Sequence, residues 1–175
     1  MSIISSGFSI KKAGEQHAEI LSKIGGDTFY ETFKPYNTES DIRQYISKAY
    51  AIDVIKQNLI NPNIAYYLCY DADVVIGYIK LIHHATYKGL TNRTIELEKI
   101  YVLASYFGSG AGILLMDCAI THSKETGFDT LFLGVWQENE RAVNFYKKIG
   151  FEVFETRQFQ LGERLCDDYM MKLKL

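Results

Sequence analysis

Three glycines at alternate positions stand in the run Phe107-Gly108-Ser109-Gly110-Ala111-Gly112. The run follows an apolar, strand-like segment, Ile100-Tyr101-Val102-Leu103, and opens a helix-like one, Ile113 to Ile120. The first turn of a helix leaves N–H groups without internal partners, and the helix dipole adds positive character there. Glycines between strand and helix keep side chains clear of those amides, so the run can cradle phosphate oxygens at Gly108 to Ile113. The plainer reading is a joint between strand and helix. A triphosphate P-loop is excluded, since no Gly-Lys-Ser/Thr ends the run. A dinucleotide fingerprint fits poorly, because the next strand, Leu131 to Trp136, ends in Trp136-Gln137 where an acidic residue is required.

Two further segments carry chemistry. Asn139 to Ile149 reads as a short helix, with Asn139 as N-cap and Gly150 as the left-handed residue past its end. Ala142, Val143, Phe145, Tyr146 and Ile149 recur at spacings of three and four, so one face is apolar. On that pattern alone Tyr146 is a buried aromatic. The second segment is the strand-like run Thr94 to Leu103. Ile95 and Leu97 alternate with Glu96 and Glu98, but the apolar positions then become Ile100 and Val102. A β-bulge near Glu98-Lys99-Ile100 absorbs the odd step; a strand buried on both faces at one end is the alternative.

Together these segments resemble the GNAT acetyltransferase superfamily. Ile100-Tyr101-Val102 with Phe107 to Gly112 is similar to its acetyl-CoA segment of strand, pyrophosphate loop and helix. Asn139-x-x-Ala142-x-x-Phe145-Tyr146-x-Lys148-x-Gly150-Phe151 is similar to the signature that follows it. The motifs cover about Glu96 to Phe154, and the order of elements extends the likeness over almost the whole chain. One departure is Phe107, where the family usually carries Gln or Arg. The family binds phosphate there largely through backbone amides, so the departure bears on affinity for the cofactor.

The resemblance implies acetyl-CoA as co-substrate and no metal. It places the cofactor against Ile100, Tyr101, Val102, Phe107, Gly108, Ser109, Gly110, Ala111, Gly112 and Ile113, bordered by Asn139, Ala142, Tyr146 and Lys148. An alkyl ammonium titrates near ~10.4 and must lose a proton before it attacks a thioester. Glu98 is the expected base, directly or through water; the plainer reading is a surface carboxylate paired with Lys99 or Lys80. Glu96 can share the role or hold a cationic substrate. Tyr146 stands at the position of the family's usual general acid, and the N–H of Val102 is expected to stabilise the oxyanion. No covalent enzyme intermediate is needed, so Cys69 and Cys118 have no nucleophilic role. Within the superfamily the chain is most like bacterial spermidine/spermine N-acetyltransferases. That likeness implies a polyamine acceptor, with Glu31, Phe33 and Glu96 lining its site. The alternatives are a peptide or protein N-terminus as acceptor, or a non-catalytic acyl-CoA-binding regulator.

The elements that must position these groups form a mixed α/β pattern. A strand fits Phe8 to Lys12 and a helix Ala13 to Thr32, with Ile20, Leu21, Ile24, Thr28 and Phe29 inward. A helix capped by Thr38 and Asp41 and another over Ile52 to Leu59 follow. Ile64 to Tyr70 and Val74 to Ile82 read as a hairpin around Asp71-Ala72-Asp73. A polar loop, Thr86 to Arg93, precedes the Thr94 strand, and Arg164 to Leu175 reads as the last strand. The expected fold is a mainly antiparallel sheet with helices on both faces and a V-shaped splay between its two central parallel strands.

With 175 residues, 47% of them apolar, the chain suits one domain over residues 1–175. No apolar run approaches the ~18–20 residues that span a bilayer, and Met1 to Ser6 lacks the pattern of a secretory signal. Three scattered cysteines without a Cys-x-x-Cys pair suit reduced thiols in the cytoplasm. A net charge of −2 argues against nucleic acid as partner. His83 and His84, adjacent on a strand, point to opposite faces and make no metal pair. The expected partner is a small-molecule amine, with no membrane, and a homodimer is compatible with the pattern.

Overall fold

The alternating run from Ile64 onward folds as the expected hairpin, β3 (Ile64–Asp71) and β4 (Val74–His83), around a turn where Ala72 takes a φ of 49°. The computed structural model describes residues 4–5, 7–90, 93–161 and 164–175. Most of Met1 to Ser6 and part of the Thr86 to Arg93 loop, both read above, lie outside the described residues. Before the hairpin come β1 (Ile4–Ser5), β2 (Phe8–Lys12), α1 (Ala18–Phe33), α2 (Glu39–Ala49) and α3 (Ile52–Ile60). After it come β5 (Thr94–Val102), α4 (Ala111–Glu125), β6 (Thr130–Trp136), α5 (Glu140–Ile149), β7 (Glu152–Leu161) and β8 (Arg164–Lys174).

Among the described residues these strands make one sheet in the order β1-β2-β3-β4-β5-β6-β8-β7. Only β5 and β6 run parallel; every other neighbouring pair is antiparallel. Helices α4 and α5 cover one face through Leu114, Leu115, Ala119, Val143 and Tyr146. Helices α1 to α3 cover the other through Leu21, Ile24, Phe29, Ile42 and Ile55. The central strands are therefore apolar on both sides, as at Leu68 and Cys69 or Leu131 and Phe132.

Three details differ from the pattern reading. Helix α1 begins at Ala18 instead of Ala13, because Gly14 is extended and Glu15–His17 forms a 3-10 turn closed by the Gly14 N–H donating to His17 Nδ1 at 2.9 Å. Helix α4 begins at Ala111, two residues before Ile113, since Gly110 takes a φ of 95° and serves as its N-cap. The strand β7 was not expected. It lies at the sheet edge, its side chains are mostly half or fully exposed, and a register shift between Val153 and Glu155 breaks its alternation.

Candidate active site

The site is built around the parting of β5 from β6. They pair only over Thr94↔Thr130, Ile95↔Leu131 and Glu96↔Phe132, whereas β5 continues to Val102 and β6 to Trp136. On its other side β5 stays paired with β4 as far as Val102↔Gly77. The bulge expected near Glu98 lies in that pairing: Lys80 faces Lys99 and Leu81 faces Leu97, so Glu98 is the extra residue. Gly77 allows the close approach that draws β5 away, because a Cβ there would stand 2.6 Å from the Tyr101 carbonyl oxygen. Past the bulge the Leu103 N–H donates to the Ile76 oxygen at 2.9 Å, toward β4. By strand alternation the N–H of Val102 points the other way, into the slot. The Ile100 and Val102 side chains pack on the α4 side, while the Tyr101 ring stacks on Tyr78 on the opposite face. Only backbone groups of Tyr101 can therefore meet a ligand in the slot.

The glycine run turns sharply at the end of this strand, with φ of 79° at Gly108 and 95° at Gly110. Of its amides, Ser109 donates to the Tyr106 oxygen at 3.2 Å and Ala111 to Ser109 Oγ at 3.3 Å. The N–H groups of Gly108, Gly110, Gly112 and Ile113 have no hydrogen-bond partner among the described residues. Four free donors at a helix N-terminus, beside an unpaired strand edge, fit a diphosphate followed by an extended amide-containing arm.

Helix α5 forms the far wall. Asn139 caps it, its Oδ1 accepting the Ala142 N–H at 3.2 Å, and Gly150 ends it with a φ of 110°. Asn139 thus spends its side-chain oxygen on the helix, and Lys148 is exposed. Tyr146 is 7% exposed, packed against Phe145 and Phe151. Burial raises its phenol far above the ordinary value, with Arg141 pulling the other way, so the group holds its proton at neutral pH.

On the α1–α3 face of the sheet, charged residues gather where the two strands part. Glu98 is held by Lys80, Nζ to Oε2 2.6 Å. Burial raises the Glu96 carboxyl, the charge of Glu98 raises it further, and Arg157, Lys99 and Lys80 oppose. Asp168 of β8, 7% exposed, is raised by burial and steadied by Arg157 at 3.3 Å. The Arg157 guanidinium crosses β6 over Gly134, where a Cβ would meet Nη2 at 2.6 Å. Lys99 donates to the Tyr45 hydroxyl at 3.3 Å. A cavity of about 240 Å³ opens beside Lys80, Glu98 and Lys99, walled by Tyr45, Tyr50 and Tyr66.

Of the residues expected to line an acceptor site, Phe33 lies over this face, its ring centroid 6.2 Å from that of Trp136. Glu31 is engaged elsewhere: its Oε2 accepts the Ala104 N–H at 2.9 Å, tying α1 to the loop after β5. Asp168 and Arg157 were not foreseen. Arg157 belongs to the unexpected edge strand, and opposite charges facing each other across β7 and β8 give no sequence signal until the register is known.

The sequence and the fold are similar to those of known proteins. An uncharacterized N-acetyltransferase of Lactobacillus delbrueckii subsp. lactis is 29% identical over 170 residues, 97% of this chain and 98% of that one. One from Mycobacterium bovis is 30% identical over 158 residues, 90% of this chain and 97% of the relative. The fold is similar to that of the PaiA N-acetyltransferase of Thermoplasma acidophilum, solved in complex with coenzyme A, at a TM-score of 0.81 and 22% identity over 97% of this chain and 100% of that one. The profile of the acetyltransferase (GNAT) family matches residues 27–151, and the chain belongs to that family.

Proposed function

We propose that the protein transfers the acetyl group of acetyl-CoA to the primary amine of a small molecule. The observation that carries this reading is the parting of β5 from β6 after Glu96 and Phe132, with free amides at the end of β5 and a buried, protonated tyrosine across the slot. The four free amides from Gly108 to Ile113 would hold the diphosphate, and the unpaired edge of β5 from Ile100 to Val102 the pantetheine. Acetyl-CoA supplies an acyl group activated as a thioester. The remaining work is moving protons. A carboxylate of β5 takes one from the acceptor ammonium, and Tyr146 Oη delivers one to the departing sulfur. The N–H of Val102 faces the slot, where negative charge develops on the carbonyl oxygen.

Glu96 and Glu98 share the base role unequally. Glu98 is engaged by Lys80, whereas Glu96 is raised by burial toward the working pH and has the charge of Glu98 beside it. Glu96 is therefore the group that accepts the proton, and Glu98 tunes it. With its cysteines buried and reduced, the enzyme suits the cytoplasm.

For the acceptor, Glu96, Glu98 and Asp168 on one face support a polyamine such as spermidine or spermine. Lys80, Lys99 and Arg157 stand on the same face, and this balance favours a second reading, the single ammonium of a peptide N-terminus. A thiol-release assay with acetyl-CoA across polyamines, monoamines and short peptides separates them. Turnover with spermidine or spermine, with a KM that rises as salt screens the carboxylates, is the expected result. Turnover with peptides and none with any polyamine would overturn the polyamine assignment.

A further inference from the structure

The segment that cradles phosphate contains no lysine or arginine from Leu103 to Leu115. Amides and a helix dipole alone would face a ligand bearing several negative charges. A cation does reach the cradle from outside it. Arg141, in the first turn of α5, lays its guanidinium on the ring of Phe107, Cζ 3.4 Å from the ring centroid. Phe107 immediately precedes the first glycine and is 44% exposed. The first turn of α4 lies beside α5 there, since a Cβ on Gly112 would stand 3.9 Å from Phe145 Cζ.

Stacking on a ring fixes the guanidinium plane without using its N–H donors. No carboxylate among the described residues lies within ion-pair distance of Arg141. Its donors are therefore held in place at the rim of the cradle and left for a ligand. A planar fork of donors matches phosphate oxygens, and a guanidinium oriented in advance loses little freedom on binding one.

We propose that Arg141, oriented by Phe107, is a phosphate-binding residue of the cofactor site, contacting a phosphate of coenzyme A from the α5 side while the glycine amides hold it from the α4 side. Phe107 is then a positioning residue. The inference rests on the acetyl-CoA reading above, and the chemistry is shared by the diphosphate and the 3′-phosphate of the ligand.

Calorimetric titration of the full chain and of Arg141→Ala, Arg141→Lys, Phe107→Ala and the double Ala variant, with coenzyme A and with dephospho-coenzyme A, tests this. Arg141→Ala should bind coenzyme A about ten- to a hundredfold more weakly, the range of a lost hydrogen bond to a charged group, with unfolding of the ligand-free protein unchanged. Arg141→Lys should recover part of the loss and keep the salt dependence of the natural protein, which Arg141→Ala should make shallower. Phe107→Ala should lose less, and the double variant no more than Arg141→Ala alone. If the loss persists with dephospho-coenzyme A the partner is the diphosphate; if it vanishes the partner is the 3′-phosphate. Unchanged coenzyme A affinity in a folded Arg141→Ala protein overturns the proposal. Failure of the unaltered protein to bind coenzyme A at all overturns the acetyl-CoA reading and the proposal with it.

Discussion

At the scale of single residues, the site separates groups by what surrounds them. Glu96 and Glu98 are two positions apart on one strand, yet one is engaged by Lys80 at 2.6 Å and the other has its carboxyl raised by burial. Two carboxylates in different environments can take different parts in one proton transfer. Glu96→Gln should therefore lower kcat by about 10²–10⁴-fold, with partial recovery in alkali, where more of the acceptor amine is already neutral. Glu98→Gln should cost less and shift the acid limb of the pH profile, because it removes a charge that raises Glu96. Tyr146→Phe keeps the packing on Phe145 and Phe151 but has no proton to give, so kcat should fall while coenzyme A affinity holds. Steady-state kinetics from pH 6 to 10 with the accepted amine decide the matter. A Glu96→Gln enzyme at full rate, beside an inactive Glu98→Gln one, would return the base role to Glu98 alone.

At the scale of elements, the glycine turn, the bulge and the capped helix proposed to hold the cofactor were legible because they depend on local spacing. The odd apolar step between Leu97 and Ile100 announced a bulge, and the structure leaves Glu98 as the unpaired residue there. The cap at Asn139 and the left-handed Gly150 were readable for the same reason. What was illegible depends on contacts between distant segments. Glu31 carries no mark of the Ala104 N–H that claims it, 73 positions away. Strand β7 mixes Val153 and Phe154 with charged and polar neighbours and carries a register shift after Val153, so it lacks the alternation that reveals a half-buried strand, and with it Arg157 went unseen. Gly77 shows how an element can shape the site from behind. A Gly77→Ala Cβ would press on the Tyr101 oxygen and, at 3.2 Å, on Val102 Cα. β4 and β5 would have to separate where the slot wall is formed. The expected cost is about 1–3 kcal/mol in urea unfolding, with a fall in coenzyme A affinity beyond what partial unfolding explains. Unchanged affinity in a folded variant would mean that the slot does not depend on this approach.

For the whole molecule, the end of the sheet away from the cradle sets how the fold responds to acid. His122 of α4 is 9% exposed and sits between two partners, with Nε2 2.7 Å from His83 Nε2 and Nδ1 3.0 Å from the Tyr67 hydroxyl. At that separation the two Nε2 atoms share one proton, so either histidine donates while the other accepts. Burial, helped by His83 and Lys12, lowers His122 to about 4; burial, His84 and Lys12 also lower His83. Above pH ~6.5 His122 is neutral in folded and unfolded chains alike and contributes no pH dependence. As pH falls below that, the unfolded chain takes up a proton that the folded one refuses, so stability is lost from pH 6.5 down to about 4. At about 1.4 kcal/mol per unit, and with the unfolded histidine half protonated at pH 6.5, His122 alone removes about 1.5 kcal/mol between pH 6.5 and 5. The raised carboxyls of Glu96 and Asp168 act in the opposite sense, since folding favours their protonated forms and they return stability as acid neutralises them. Thermal unfolding at pH 7.5 and 5.0 should therefore show a marked drop for the natural chain and a smaller one for His122→Gln, which keeps a polar group between Tyr67 and His83. Equal drops in both proteins would place the acid sensitivity elsewhere than in this buried pair.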